Sequence, residues 1–327
     1  MTALESTGAT EFGDYVADLA WHPGGTMLAV ACADGTVHEM LAGGAASSPV
    51  LEHAGGACAV AYSAAGVLAS AGEDGRVGIG PIPPQPVGAG WVELLGWAPD
   101  GSRLATAVGR RVQLWTAEGA MAAESGDLPA TVECLAWAPD GSRLAAGGHG
   151  GFSLLDGALA SSRWIDWTGV VLALAWAPDG RRVACGMQDC ALWTWDVDSV
   201  EVAPLHGFAR KVRELAWSAD GRCLVTGGGS VPSAWGFDGE PLGVVPARQV
   251  ELRGHERPVV WAGFQPGGTL LATAAEDGVV ILWRLPVQAP LTGATIGEPA
   301  SACAWSPDGT MLALGGETGR VAVFRLA

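Results

Sequence analysis

A short phrase recurs along the whole chain, in which an aromatic residue is followed four positions later by the glycine of a tight turn, often Pro-Asp-Gly. Successive copies lie 35 to 47 residues apart. Repeats at this spacing are typical of solenoids and propellers, because one repeat cannot bury both of its faces alone. The phrase therefore constrains the fold more strongly than any other feature. The eight copies, numbered 1 to 8 below, are anchored on Trp21, Tyr62, Trp97, Trp137, Trp176, Trp217, Phe264 and Trp305.

The pattern within each copy predicts several short strands. A strand of the form V-x-x-L-A-W leads into the turn, a second strand such as 271–275 follows, and an Asp-Gly turn leads to a third such as 279–283. A looser segment with room for a fourth strand completes the copy. None of these strands shows a clean polar face, which is typical of a sheet packed on both sides. We therefore predict an all-β fold in which residues 1–327 form one β-propeller domain, with eight blades of mostly four antiparallel strands.

The two ends of the chain favour a closed ring over an open β-solenoid. Copy 8 stops after its third strand, at 320–326, and residues 9–12 precede copy 1. These N-terminal residues are placed to supply the missing outer strand, so that both ends of the chain would share one blade. Copy 2 is the weakest copy, because the prolines within 81–90 suit a fourth strand only at a sheet edge.

Composition argues against several classes of protein. The 49 glycines and 20 prolines disfavour a helical bundle, because glycine inside a helix costs roughly 1 kcal/mol. The formal net charge of −16 disfavours a nucleic-acid partner, since such binding relies on clustered Lys and Arg. No stretch approaches the ~18 apolar residues of a spanning helix, so no membrane is expected. Seven cysteines occur singly, which is typical of reduced thiols and predicts a cytoplasmic location.

The repeats resemble the WD-repeat (WD-40) family. Copy 7 matches best, with Gly254-His255 before its first strand, the run LATAAEDG in its second, and Leu282-Trp283 in its third, and copy 5 carries a literal Trp-Asp pair at 195–196. The scarcity of lysine suggests GC-rich codon usage, so the resemblance is to a divergent bacterial member. Because the family commonly has seven blades, seven is the alternative count here.

The resemblance implies a hydrogen-bonded structural set in each blade, made of a His, a Ser or Thr, an Asp and a Trp. Other copies depart from this pattern: Gly80 takes the Trp position of copy 2, Trp167 the His position of copy 5, and Arg110 the Asp position of copy 3. Copy 2 keeps the first three members, which are His53, Ser70 and Asp74. The full set falls only on copy 7, as His255, Thr273, Asp277 and Trp283.

No catalytic or metal site is predicted from the sequence. His255 and Asp277 can be interpreted as an acid–base pair, but we favour a buried network that stabilises the blade. The six histidines lack metal-ligand spacing, and no nucleophile elbow is present. The glycine-rich run 147–151 is followed by neither a helix pattern nor a Gly-Lys-Ser/Thr sequence, which argues against a phosphate cradle. We therefore expect no catalytic residue, no bound metal and no cofactor.

The resemblance implies a binding rim, formed by the linker entering each first strand and by the turn between the second and third strands. An aromatic residue with charged neighbours is the usual composition of a binding hot spot. Trp164 and Trp167 are a second aromatic candidate, for which core packing is the alternative. The candidate rim residues are Tyr15, Glu73, Trp91, Glu93, Thr131, Glu133, His149, Gln188, Arg210, Lys211, Arg213, Glu276 and Glu317.

The function implied by the resemblance is a non-catalytic scaffold that binds another protein on this rim. Two alternatives stay open at this point. One is an enzyme or small-ligand binder that uses the central channel, although the innermost strands are largely apolar. The other is an accessory partner of a CobW-type metal-chaperone GTPase. Fold alone does not decide among them.

Overall fold

The structure is a computed structural model that describes residues 3–199, 202–236, 248–287 and 289–327. Every regular element within these ranges is a β-strand. Copy 1 contributes β2 (Val16–Trp21), β3 (Met27–Cys32), β4 (Thr36–Leu41) and β5 (Leu51–Glu52). Copy 2 contributes β6 (Ala57–Tyr62), β7 (Leu68–Gly72), β8 (Arg76–Ile79) and β9 (Ile82–Pro86). Copy 3 contributes β10 (Leu94–Trp97), β11 (Arg103–Val108), β12 (Arg111–Thr116) and β13 (Met121–Glu124).

The second half of the chain repeats this order. Copies 4 and 5 share β14 (Val132–Trp137), β15 (Arg143–Asp156), β16 (Ser162–Trp176), β17 (Arg182–Met187), β18 (Leu192–Asp196) and β19 (Val202–Leu205). Copy 6 contributes β20 (Leu215–Trp217), β21 (Cys223–Thr226), β22 (Ser233–Gly236) and β23 (Arg248–Glu251). Copy 7 contributes β24 (Val259–Phe264), β25 (Leu270–Ala275), β26 (Val279–Arg284) and β27 (Pro290–Thr295). Copy 8 contributes β28 (Ala300–Trp305), β29 (Met311–Gly316) and β30 (Arg320–Leu326), which join β1 (Leu4–Glu11).

Hydrogen bonds gather these strands into seven sheets, six of four strands and one of six. The predicted single all-β propeller is confirmed, and the alternative count of seven is the number of sheets found. Eight copies give seven sheets because copies 4 and 5 share one six-stranded sheet. They share it because strands β15 and β16 each continue through a reversal of the chain. Gly150 and Gly151 allow the first reversal with φ of 83° and 138°. Gly157 N then donates to Ser142 O (2.7 Å), so the two arms of β15 lie side by side.

The strands that begin each copy form a continuous ring around the centre. Each contacts the next in chain order, and β28 contacts β2. Eight blades therefore stay a prediction, which this succession of first strands supports. Copy 2 does have a fourth strand, β9, and its prolines lie on the outermost strand of the sheet, where no further ladder partner is needed. The strands in ring order are β2, β6, β10, β14, β16, β20, β24 and β28.

The two ends of the chain close the ring in one sheet, as predicted. β1 pairs antiparallel with β30 from Leu4 opposite Leu326 to Glu11 opposite Arg320. The N-terminal strand is therefore longer than the 9–12 segment expected from the sequence. Thr7 Oγ1 also donates to Ala42 O of copy 1 (2.8 Å), so β1 binds both neighbouring copies.

A belt of tryptophan hydrogen bonds explains the anchor residue and the small residue before it. Six anchor indoles donate Nε1–H to a backbone carbonyl of the preceding copy, at 2.9 to 3.3 Å. The acceptor is always the Ala or Gly that precedes that copy's own anchor, where a small side chain permits close approach. Trp21 donates to Ala304 O and so joins the first copy to the last. Tyr62 and Phe264 have no indole, which interrupts the belt at copies 2 and 7.

The core lies between neighbouring sheets. One buried cluster, for example, joins Leu282 of copy 7 to Leu312 and Phe324 of copy 8. Each sheet therefore buries both faces only because it has a neighbour on either side, as in other repeat proteins. This packing holds the strand ends and loops at fixed positions around the ring.

Candidate functional site

Copy 7 contains a complete polar set beneath the rim. His255 precedes β24 and is 7% exposed. Its Nδ1 lies 3.1 Å from Asp277 Oδ2, and its Nε2 lies 2.8 Å from Thr273 Oγ1. Trp283 Nε1 donates to the same hydroxyl (2.8 Å). Asp277 also accepts the backbone N–H of Glu256 (2.9 Å), which fixes the linker against the turn.

The protonation of His255 follows from its surroundings. Burial lowers the pKa of the imidazole, and the opposing effect of Asp277 is smaller. A neutral ring with its proton on Nδ1 donates to Asp277 and accepts the Thr273 hydroxyl proton on Nε2. Both nitrogens are thus engaged inside the blade, which fits the structural interpretation better than an acid–base pair at a substrate.

Copy 2 keeps three members of the set. His53 Nδ1 lies 3.0 Å from Asp74 Oδ1, and Nε2 lies 2.9 Å from Ser70 Oγ. Gly72 stands against this imidazole so closely that an added Cβ would lie 2.5 Å from His53 Cγ. A small residue at this position is therefore a condition for the histidine. Ala275 fills the same position in copy 7.

Copy 5 fills the same place with aromatic rings. Trp167 stands at the histidine position and contacts Trp193 and Trp195, with ring centroids 4.5 and 5.0 Å apart and edge-to-face geometry. Cys185 stands where copies 2 and 7 have Ser and Thr, and burial raises the pKa of its thiol. Both Trp164 and Trp167 are half-buried on β16. Trp167 packs against the core cluster, which was the alternative weighed for it.

Most of the candidate rim residues lie on linkers and turns at one end of the strands, whereas Glu133 lies in β14 and His149 in β15. Trp91 and Tyr15 are the most exposed aromatics among them, at 58% and 40%. Glu276 is half-buried. The structure places the set around the ring rather than in one patch. The remaining members are all exposed, namely Glu73, Glu93, Thr131, Glu133, His149, Gln188, Arg210, Lys211, Arg213 and Glu317.

Acidic groups concentrate where copies 2 and 3 meet. Burial, together with the nearby carboxylates of Glu73 and Glu93, raises the pKa of the Cys58 thiol to about 11. Glu73 also accepts the backbone N–H of Gly56 (3.2 Å), which holds it over the linker. Trp91 lies two residues before Glu93 on the same linker. This part of the rim therefore combines an exposed ring with negative charge.

Two half-buried carboxylates were not predicted from the sequence. Asp18 lies on β2, and its carboxylate accepts the backbone N–H groups of Leu19 (2.8 Å) and of Val60 on β6 (3.0 Å). Burial raises the pKa of Asp18 to about 6, against the effect of these two donors. Glu214 stands at the corresponding position of copy 6, where burial raises its pKa to about 7. The signal available was an acidic residue at the third position of an otherwise apolar first strand.

The described residues contain no group of three or more potential metal ligands. Within the same ranges, none of the elements is a helix of the length and apolarity needed to cross a bilayer. All seven cysteines are free, and four of them are buried, namely Cys32, Cys134, Cys185 and Cys303.

Comparison with known proteins agrees with the repeats. Residues 7–38, 125–153, 164–196 and 247–284 match the family described as WD domain, G-beta repeat. Over 61 residues, the chain is 41% identical to telomerase protein component 1 of Mus musculus, and equally to that of Rattus norvegicus. This stretch is 17% of the present chain and 2% of either relative, so the chain spans only a small part of their length.

A solved structure supports the fold over nearly the whole chain. The crystal structure of the computationally designed Ika8 protein gives a TM-score of 0.81, covering 98% of this chain and 99% of that one at 15% identity. At this identity the likeness shows the fold alone. The chain thus has the fold of a β-propeller, and four of its segments match the WD domain, G-beta repeat.

Proposed function

We propose that the protein is a non-catalytic scaffold that binds a partner protein through the rim of linkers and turns described above. The observation that carries the proposal is Trp91, a large aromatic side chain that is 58% exposed beside the exposed Glu93. Exposed Trp at a rigid, charged surface is the typical composition of a protein-binding hot spot. The strand ends that carry these residues are held by the packed ring, so little ordering is required on binding.

A basic cluster on the same rim adds a second point of recognition. Arg210, Lys211 and Arg213 are exposed on and just beyond the linker entering copy 6. Their positive charge is opposite in sign to the charge of the acidic sector at copies 2 and 3. Complementary charges on a partner would fix its orientation and speed its association.

The polar sets support a structural role instead of a catalytic one. His53 and His255 use both ring nitrogens within their own copies, and both side chains are buried. We therefore place His255, Thr273, Asp277 and Trp283 in blade stability. The rim residues are assigned to partner binding.

The two alternatives named above make different demands on the molecule. Acidic residues on or beside the first strands, such as Asp18 and Glu214, favour use of the central channel by a substrate or small ligand, but Asp18 already accepts two backbone donors. A CobW-type GTPase as the partner stays a prediction about identity. The cytoplasmic location, the bacterial source and the single domain over 1–327 likewise stay predictions from the sequence.

Affinity capture from the native host tests the scaffold proposal. The tagged wild-type chain is compared with Trp91→Ala and Lys211→Glu on the rim. Met121→Ala is the matched control, because Met121 is an apolar residue of similar exposure (56%) on the outer strand β13. We expect one stoichiometric protein, retained by Met121→Ala and reduced at least tenfold by the rim variants.

The outcomes of this capture separate the candidates. Recovery of a CobW-type GTPase would identify the partner and leave the scaffold proposal intact. A bound small molecule without any protein would favour the channel. Equal capture by the wild type and both rim variants would contradict the rim as the binding surface.

A further inference from the structure

A cavity of about 220 Å³ lies between copies 2 and 3. The linker 87–89 forms one wall, and Val108, Arg111, Gln113 and Glu124 of copy 3 form the other. The linker carries the histidine in copies 2 and 7, but copy 3 has Gly88 there. Without a side chain at this position, the linker leaves the space open.

Val108 refills part of the space that the missing imidazole would occupy. Its Cγ1 lies 3.3 Å from the place where a Cβ on Gly88 would stand. Copies 2 and 7, which keep the histidine, have the smaller Gly72 and Ala275 at this position. A larger residue on the strand therefore accompanies the missing histidine in copy 3, and a small residue on the strand accompanies the histidine in copies 2 and 7. The outer part of the space, next to Gln113 and Glu124, stays unfilled.

Gln113 lines this cavity and has an unused acceptor that is shielded from solvent in the wall. The residue is 8% exposed, and its Nε2 donates to Val87 O (3.0 Å) and to Glu124 Oε2 (2.6 Å). Because both of these atoms are acceptors, the amide nitrogen must face them. Oε1 is then left without a hydrogen-bond partner among the residues that the structure describes. A buried acceptor in this state gains free energy from any donor that reaches it.

The donors nearest to Glu124 are engaged within the wall. Arg111 donates Nη1–H to Glu124 Oε1 (2.9 Å) and Nε–H to Asp127 Oδ1 (2.7 Å). Its side chain is 56% exposed, so its other three N–H groups can be hydrated. Both amide protons of Gln113 are used. On the side of Gln113 and Glu124, the wall therefore offers acceptors, and the side chains that carry a lasting positive charge and only donate are those of lysine and arginine.

The approach to the cavity selects the same charge. Trp91 follows the linker wall by two residues, and an exposed indole face attracts a cation. Glu93 and Glu73 lie in the same acidic sector of the rim. A positively charged segment therefore meets an attractive field before it reaches the cavity.

We propose that this cavity binds a lysine or arginine side chain from a basic segment of the partner protein. The inference rests on the proposed scaffold function and adds the chemical class of the partner. The bound cation donates to Gln113 Oε1 and to Glu124, its aliphatic stem lies against Val108, and Arg111 retains Asp127. The rest of the segment lies over Trp91.

The test uses labelled peptides and the full-length protein. The peptides are fluorescein-labelled (Gly-Arg)4, (Gly-Lys)4 and (Gly-citrulline)4, the last of which keeps the shape of arginine without its charge. We expect anisotropy titrations to show at least tenfold weaker binding of the citrulline peptide than of the better basic peptide. Equal binding of all three peptides would overturn the proposal.

Variants locate the binding in the cavity. Gln113→Leu removes the acceptor, Glu124→Gln removes the charge, and Ala89→Leu blocks the space from the exposed linker. Each is expected to weaken binding of the better basic peptide about tenfold, which corresponds to one good hydrogen bond. Glu251→Gln, on the outer strand of copy 6, is the matched control and is expected to change the affinity less than twofold. Equal effects of Glu251→Gln and Glu124→Gln would mean general attraction and contradict the site.

Two further readouts keep the result interpretable. Thermal melts identify variants that have lost stability, and Ala89→Leu leaves every hydrogen bond of Gln113 in place. If affinity capture retains the partner equally with Gln113→Leu, Glu124→Gln and Ala89→Leu, this inference fails while the scaffold function stands. If no partner is captured but the peptides still distinguish arginine from citrulline in a Gln113-dependent way, the cavity stands and the scaffold function fails.

Discussion

Copies 7 and 5 fill the same place beneath the rim by opposite means. In copy 7 the linker delivers His255 to a hydroxyl and a carboxylate, and each member of the set satisfies another. In copy 5 strand β16 carries Trp167 to two further indoles, and the contact is apolar. His255 lies on a linker between strands, whereas Trp167 lies within a strand. The repeat therefore requires that the space be filled, and it tolerates either chemistry.

The difference lies in what each solution requires of its neighbours. A buried polar set depends on every member, because loss of one leaves the others without partners. An aromatic cluster stabilises by buried area and ring geometry, and its members act more independently. This predicts different responses to substitution and to pH in the two copies.

Trp167→Ala is expected to have the largest effect. Removing a packed indole costs about 3 kcal/mol of the free energy of unfolding, from lost burial and the cavity left behind. Denaturant titration measures the change, and Trp91→Ala serves as the exposed control, expected within about 0.5 kcal/mol of the wild type. A loss at Trp167 no larger than at Trp91 would contradict packing of the copy 5 cluster.

His255→Ala comes next, at about 2 kcal/mol, because Asp277 and Thr273 each lose a partner in a buried site. The same titration measures it, with the exposed His149→Ala as control. Partner capture should be unchanged at temperatures where the variant is folded. Loss of capture without loss of stability would show that His255 belongs to a binding site.

Trp283→Phe removes the indole N–H that donates to Thr273 Oγ1 (2.8 Å) and keeps most of the buried ring. We expect a loss of about 1 kcal/mol, the usual net worth of one hydrogen bond. Thr273→Val removes this bond together with the bond to His255 Nε2. In the double variant the total loss should therefore fall short of the sum of the two single losses by about 1 kcal/mol, because one bond is counted in both. Full additivity would exclude this bond as the source of the effect.

The smallest expected effect is the part of the pH dependence of stability that comes from His255. Burial lowers the pKa of His255 below its ordinary value of 6.5, so the unfolded chain binds a proton that the folded chain does not. The contribution of His255 to the free energy of unfolding is fully present above pH 6.5. It declines as the pH falls toward the lowered pKa. The unfolding free energy of His255→Ala should therefore change less between pH 7 and 5 than that of the wild type, whereas Trp167→Ala should retain the wild-type slope.

The fold was readable from the sequence because its cause is local and repeated. An aromatic anchor, a small residue before it and a glycine turn after it recur in each copy, and the belt of indole hydrogen bonds uses these same residues. The division into seven sheets was less predictable. It depends on whether a strand continues through a turn such as Gly150–Gly151, which the strand pattern alone does not reveal.

The candidate site was readable only where it depends on a motif. The polar set of copy 7 follows from the spacing of four residues, and the exposure of Trp91 follows from its place on a linker. The cavity beside Gln113 did not follow, because it arises from Gly88 and Val108, which are distant in sequence. Asp18 and Glu214 were missed for a similar reason, since their neighbours belong to other strands.

The gaps in the tryptophan belt have a mechanical consequence. Because Tyr62 and Phe264 supply no indole, two junctions of the ring lack a tryptophan hydrogen bond. These junctions, here called seams, lie between copies 1 and 2 and between copies 6 and 7. Each seam is preceded by a half-buried acid, and Asp18 spans the first by accepting from Val60 across it (3.0 Å). Tyr62 also spans the first seam, because its hydroxyl donates to Glu39 Oε1 of copy 1 (2.7 Å). The seams divide the ring into an arc of five copies and an arc of three. Transient breathing of the ring should therefore begin at the seam between copies 6 and 7, so that slow amide exchange would fade there first.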